Sequence, residues 1–237
     1  RVEDDALYGR LFRLFFRPLV RALADRHDAA VLEYLEAFRY ALAGEFAATT
    51  ELVSTLRLQR GWGLEIGTLG EAFEHAGFAG SAQVDLGEYE HDHRSVDGPT
   101  GLADMSRAVG EATLRVVDEA GVDVAYDTLP ARYRETAAAL TRQYATDAAF
   151  NGLGYDRGDE RDQVATYADA VAKPGADTRL PAWNDAPLSP AEVGEAARAD
   201  LAAVVDSEPE RAVDLGGETE VGVRPRRDGA SRGGGGQ

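Results

Sequence analysis

Apolar residues in this chain recur at three- and four-residue intervals nearly everywhere and alternate in one short stretch only, which commits most of the fold to helices. Between residues 4 and 23, Leu7, Leu11, Leu14, Phe15, Leu19 and Leu23 stand near helical spacing. Pro18 falls inside that pattern and predicts a turn or kink, because its ring removes a backbone donor and crowds the carbonyl four residues back. Further helices are expected over 29–40, 45–56, 66–73, 102–120, 131–144, 164–171 and 189–206. The segment 45–56 would bury Phe46, Leu52, Val53 and Leu56, and 102–120 is the clearest amphipathic pattern. Ser189, Pro190 and Glu192 read as an N-cap, a first-turn proline and the acidic half of a capping box. The alternating stretch is "SAQVDL" at 81–86, a candidate strand, followed by a loop over 87–99. The polar run "NGLGYDRGDERD" at 151–162 reads as loop or irregular backbone.

Charge excludes some function classes. Forty-two acidic residues face 25 basic ones, a formal charge of −17, and Lys173 is the only lysine. Such a surface repels nucleic acid and anionic membranes. It suits a protein kept soluble in concentrated salt, where repulsion is screened within about 3 Å at 1 M. No run approaches the roughly 20 apolar residues of a membrane helix. The absence of cysteine fits a cytoplasmic setting and excludes disulfides and thiolate metal sites.

Several side chains can carry chemistry. Two of the four histidines, His91 and His93, sit in "QVDLGEYEHDHR" at 83–94. A His-x-His pair can ligate a metal, but zinc takes three or four protein ligands, so spacing alone favours a solvated loop. Glu65 lies in "GWGLEIG" between Leu64 and Ile66. It is either a carboxylate drawn into apolar surroundings, which then needs a donor, cation or ligand hydroxyl, or a helix-start glutamate favoured by the dipole. Glu45 poses the same choice, with the helix-start reading the stronger. The three glycines of "GWGLEIG" mark a place where backbone bends or approaches a ligand. Arg10, Arg13 and Arg17 can form forks for a phosphate or carboxylate, or simply make a charged outer face. Trp62 can cover a sugar face or serve as core or hinge.

In order, these segments form a series: "GR" at 9–10, "RPLV" at 17–20, "LAGEFAATTELV" at 42–53, "GWGLEIGTL" at 61–69, "QVDLGEYEHDHR" at 83–94 and "LADMSRAVGEATL" at 102–114. The series resembles the C-terminal half of the glucosyl-3-phosphoglycerate synthases and the related mannosyl-3-phosphoglycerate synthases, over roughly residues 5–150. These are retaining glycosyltransferases of the GT-A fold. The resemblance implies an α/β class, the C-terminal part of a GT-A glycosyltransferase fold, mostly helical with a few strands. It implies transfer of a hexose from a nucleotide-diphosphate sugar to 3-phosphoglycerate with a divalent cation, Mg2+ or Mn2+, and pairing as a homodimer.

By the same resemblance, His91 is the metal-binding histidine, and His93 and Arg94 neighbour the diphosphate. Glu65 faces the donor sugar, and Leu42, Ala43 and Gly44 line it. Gly9 and Arg10 hold the acceptor phosphate. Phe12 stands where the family has a threonine, and Tyr40-Ala41 where it has Gln-Pro. No Asp-x-Asp occurs; the nearest approach is Asp123 and Asp127. The metal-binding aspartate and nucleotide-binding half are therefore expected outside this chain, leaving it inactive alone. The expected organisation is a glycosyltransferase part at 1–172, a helical extension at 173–207 and a disordered tail at 208–237. The alternatives are a mannosyl-transferring relative or a non-catalytic acidic helical module.

Overall fold

The structure, a computed structural model, describes residues 2–3, 5–86 and 99–207. It is mostly helical. Two short strands, β1 (Val2–Glu3) and β2 (Ala6–Leu7), pair antiparallel with Val2 opposite Leu7. The backbone then winds as a π-helical turn over Leu11–Phe16 and continues as α1 (Arg17–Ala24). Here the irregularity expected at Pro18 takes the form of a change in helix type. Pro18 has no amide hydrogen to offer the Leu14 carbonyl, and the buried Tyr133 hydroxyl donates to that carbonyl at 2.7 Å.

This first helix is the centre of the core. Leu14, Phe15, Leu19 and Leu23 are fully buried. The Phe15 ring lies 5.7 Å from that of Tyr133 and 5.6 Å from that of Tyr167. The other helices of this unit are α2 (Ala30–Ala37), α3 (Thr50–Thr55), α4 (Leu64–Ala76), α5 (Pro99–Glu119), α6 (Leu129–Phe150) and α7 (Arg157–Ala168). Helix α1 packs on α2 and α6, α6 on α7, and α4 on α5.

Three expectations are corrected. The helix expected over 45–56 begins only at Thr50, where the Thr49 hydroxyl accepts from the Leu52 amide at 3.2 Å. Phe46 and Val53, expected on its buried side, are 63% and 45% exposed. Residues 81–86 form no strand, because among the described residues no neighbour offers them a ladder. Side chains hold the segment instead: Ser81 shares a hydrogen bond with Tyr34 at 3.0 Å, and Gln83 accepts from the Arg39 amide at 2.6 Å. The expected loop at 151–162 ends early, because Asp156 caps α7 by accepting from the amides of Gly158 and Asp159 at 2.8 and 3.0 Å.

One compact unit ends at Pro187 and a second begins at Leu188. Residues 173–187, expected with a helical extension, thus lie in the first unit, where Leu180 bridges antiparallel to Leu58. In the second unit α8 (Pro190–Ser207) carries the expected capping box: the Ser189 amide donates to Glu192 at 2.7 Å and the Glu192 amide to Ser189 Oγ at 3.3 Å. The expected tail at 208–237 lies outside the described residues. No described helix is long and apolar enough to cross a membrane.

Candidate functional site

Gly9 turns the chain from β2 into the first helix with φ +78°, a conformation that side chains resist, and a β-carbon there would stand 3.3 Å from the Tyr40 ring. Arg10 follows at the helix entry. Its Nη2 donates to Asp159 Oδ2 at 2.5 Å, and its Nε lies 3.8 Å from Glu160 Oε1. Arg10 and Asp159 are about half exposed.

Arg13, three residues on, is buried. Its Nη1 and Nη2 grip Glu160 at 3.0 and 2.6 Å, its Nε and Nη2 donate to the carbonyls of Tyr8 and Leu7, and it stands 5.1 Å over the Tyr144 ring. Burial works against this charge, but the Glu160 carboxylate outweighs it and the net effect stabilises the cation. Arg13 therefore belongs neither to an outer face nor to a ligand fork; of the arginine series, Arg10 and Arg17 are exposed.

Tyr40 also meets Phe12, ring to ring at 5.2 Å. Phe12 and Tyr40 are among the residues named above as departures from the resembled pattern, and here they form one aromatic contact. From Tyr40 the chain runs through buried Ala41 and half-buried Leu42 into exposed Ala43, Gly44 and Glu45. A β-carbon at Gly44 would meet nothing within 4 Å, so this backbone is open on one side.

Glu45 in turn neighbours Glu65, which sits in the first turn of α4. Burial raises the Glu65 carboxyl above its ordinary value, against a backbone hydrogen bond at Glu65 that lowers it, and the Glu45 charge raises it further. Both sequence readings of Glu65 hold at once: it starts a helix and is partly withdrawn from water. Trp62, in the 3-10 turn Gly61–Gly63 that enters α4, is half exposed. The glycines there divide in purpose. Gly61 has φ +67° with open space around it, so it bends the chain. A β-carbon at Gly63 would lie 2.9 Å from the Ala108 carbonyl, and one at Gly67 2.7 Å from Gln59 Cβ. Those two serve helix packing, not approach to a ligand.

The structure thus links the segments through Gly9 against Tyr40, the chain from 40 to 45, and the charge of Glu45 felt at Glu65. His91, His93 and Arg94 lie outside the described residues, and among the described residues no three His, Asp or Glu side chains are grouped to hold a metal.

Sequence reasoning missed a second ionic cluster. Glu71, buried on α4, receives Arg57 Nη2 at 2.6 Å and Arg179 Nη1 at 3.1 Å; Arg179 also pairs with Glu119 and with Asp177 at 2.7 Å. A cleft of about 230 Å³ lies beside it, lined by Arg57, Glu71, Phe73, Glu74, Val116 and Glu119. None of the sequence-predicted site residues lines this cleft. Glu71 interrupting the apolar face of α4 was the legible signal; the partner 108 residues away had none.

No family model matches the chain, and no solved structure matches it significantly. Among characterised proteins, a glucosyl-3-phosphoglycerate synthase of Methanococcoides burtonii is 37% identical over 198 residues, 78% of this chain and 49% of the relative. One from Persephonella marina is 34% identical over 174 residues, 70% of this chain and 43% of the relative. A third, from Mycolicibacterium smegmatis, is 37% identical over 107 residues, 45% of this chain and 32% of the relative. The chain spans about half the length of the first two relatives it matches. With most of its residues aligned to proteins of this one name, the chain belongs to the glucosyl-3-phosphoglycerate synthase family of glycosyltransferases.

Proposed function

We propose that the chain supplies the acceptor side and the metal histidine of a glucosyl-3-phosphoglycerate synthase, which moves glucose from a nucleotide diphosphate to 3-phosphoglycerate with retention. The single observation that carries this is the continuity of the motif series in space: the Gly9–Arg10 turn rests on Tyr40, and the chain leaving Tyr40 reaches Glu65 through Glu45. The relatives' shared name favours glucose over mannose.

In this reading the exposed guanidinium of Arg10 forks the acceptor phosphate, a geometry that its planar donors suit. Glu65, whose carboxyl burial raises above its ordinary value, faces the donor sugar and hydrogen-bonds a hydroxyl. The open backbone of Leu42, Ala43 and Gly44 lines that sugar, and Trp62 offers it an aromatic face. His93 and Arg94 neighbour the diphosphate, and His91 ligates a divalent cation with an aspartate from the remaining half of the protein. Such a cation, when bound, neutralises the charge that develops on the departing diphosphate. Glu65 is not assigned the part of an enzymic nucleophile. The acidic surface accords with a cytoplasmic enzyme working in salt.

The test joins this chain to the remaining half of the Methanococcoides relative and measures glucose transfer from UDP- or GDP-glucose to 3-phosphoglycerate. Transfer that needs a divalent cation and falls at least a hundredfold in His91→Ala is the expected result. A joined protein whose metal-dependent transfer is unchanged by His91→Ala would defeat the assignment.

A further inference from the structure

We propose that Asp159 is a positioning residue of the acceptor site, holding the guanidinium of Arg10 until the acceptor phosphate displaces it. This rests on the assignment of Arg10 to that phosphate. Two carboxylates stand near Arg10, and they are not equivalent. Glu160 approaches Nε at 3.8 Å but is 5% exposed and gripped twice by Arg13, so it stays where it is. Asp159 accepts from Nη2 at 2.5 Å with 53% of its side chain in solvent, so it can rotate away with its charge rehydrated.

The backbone beneath it does not move in that exchange. Asp156 accepts from the Asp159 amide at 3.0 Å and pins the first turn of α7. Hydrogen bonds from the Asp159 and Gly158 amides keep the Asp156 carboxyl below its usual range, so this pin persists across ordinary pH. A phosphate seeking the same guanidinium edge meets a competitor and a like charge together. Asp159 therefore sets how tightly the acceptor binds, by holding the Arg10 guanidinium until the phosphate replaces it, while leaving the reacting groups alone.

The experiment is calorimetric titration of 3-phosphoglycerate, with inorganic phosphate as a second probe, into the native chain and into Asp159→Asn, Asp159→Glu and Arg10→Gln. Removal of a competing carboxylate beside a dianion predicts about tenfold tighter binding in Asp159→Asn. Asp159→Glu, which restores the charge, returns the affinity to the native value, and Arg10→Gln loses binding. In the joined protein Asp159→Asn lowers KM for 3-phosphoglycerate and leaves kcat and the donor KM unchanged. Equal affinity in native chain and Asp159→Asn, with loss in Arg10→Gln, overturns the role of Asp159 and leaves the acceptor site standing. Binding indifferent to Arg10→Gln, or absent from native and Asp159→Asn alike, overturns the acceptor assignment itself.

Discussion

Arg10 and Arg13 stand within one helical turn of each other and reach adjacent carboxylates at the start of α7, yet the two pairs do opposite work. Arg13 and Glu160 are 9% and 5% exposed, and all three guanidinium nitrogens donate, two of them to Glu160. Arg10 and Asp159 are 43% and 53% exposed and share one contact. The chemistry is the same in both; water access differs. A buried pair cannot lose a partner without leaving a charge in a poor solvent, so it ties the first helix to α7. An exposed pair can part freely, so it is available to a ligand. A structural arginine and the one proposed to bind the acceptor are thus separated here by three positions and by solvent.

The sharpest way to break this contrast is to strand the buried cation. Glu160→Ala leaves Arg13 unpaired and is expected to cost about 3–5 kcal/mol in denaturant unfolding, against almost nothing for Asp159→Asn. Comparable losses at both sites would erase the distinction. Next in size is Tyr133→Phe, which removes the donor serving the Leu14 carbonyl beside Pro18. It should cost about 1–3 kcal/mol by the same measurement, the penalty of an unsatisfied buried acceptor.

Glu65 tests the contrast with a half-buried charge. Its folded pKa is raised, chiefly by burial, so the fold favours the protonated form. The stability this gives is fully present below the unfolded value, near 4.3, and is lost as pH rises through the folded one. Glu65→Gln should therefore raise the melting midpoint by about 2 °C at pH 7 and by little at pH 4, while transfer in the joined protein falls. A lower midpoint at pH 7 would contradict the burial argument. The smallest effect is on stability in Asp159→Asn, expected within about 0.5 kcal/mol of native in the same titration.

How much of this could be read beforehand depended on distance along the chain. The helix at 102–120 announced itself through periodicity and appears as Pro99–Glu119, and the box at Ser189 and Glu192 formed as written. Residues 45–49 misled because Phe46 keeps helical spacing while 63% of it stays exposed. The start of α7 hid behind "RGDERD", whose outward face is wholly polar; Asp156 as a cap, with Val164 and Tyr167 buried beyond it, was the overlooked cue. Of the candidate site, the setting of Glu65 was visible in its apolar neighbours. The engagement of Arg10 was not, since Asp159 lies 149 residues away and only the fold brings it there.

One detail of α4 has a mechanical meaning. Gly63 seats against the Ala108 carbonyl and Gly67 against the Gln59 side chain with no β-carbon of their own as a cushion; a β-carbon at Gly70 would overlap the Val116 side chain outright. Cushions deform, and a joint without them does not. Glu65 is mounted between the first two of these seats, so its carboxylate inherits the stiffness of a dovetailed frame. A methyl group added at any of the three would register first as a shift in where that acid points.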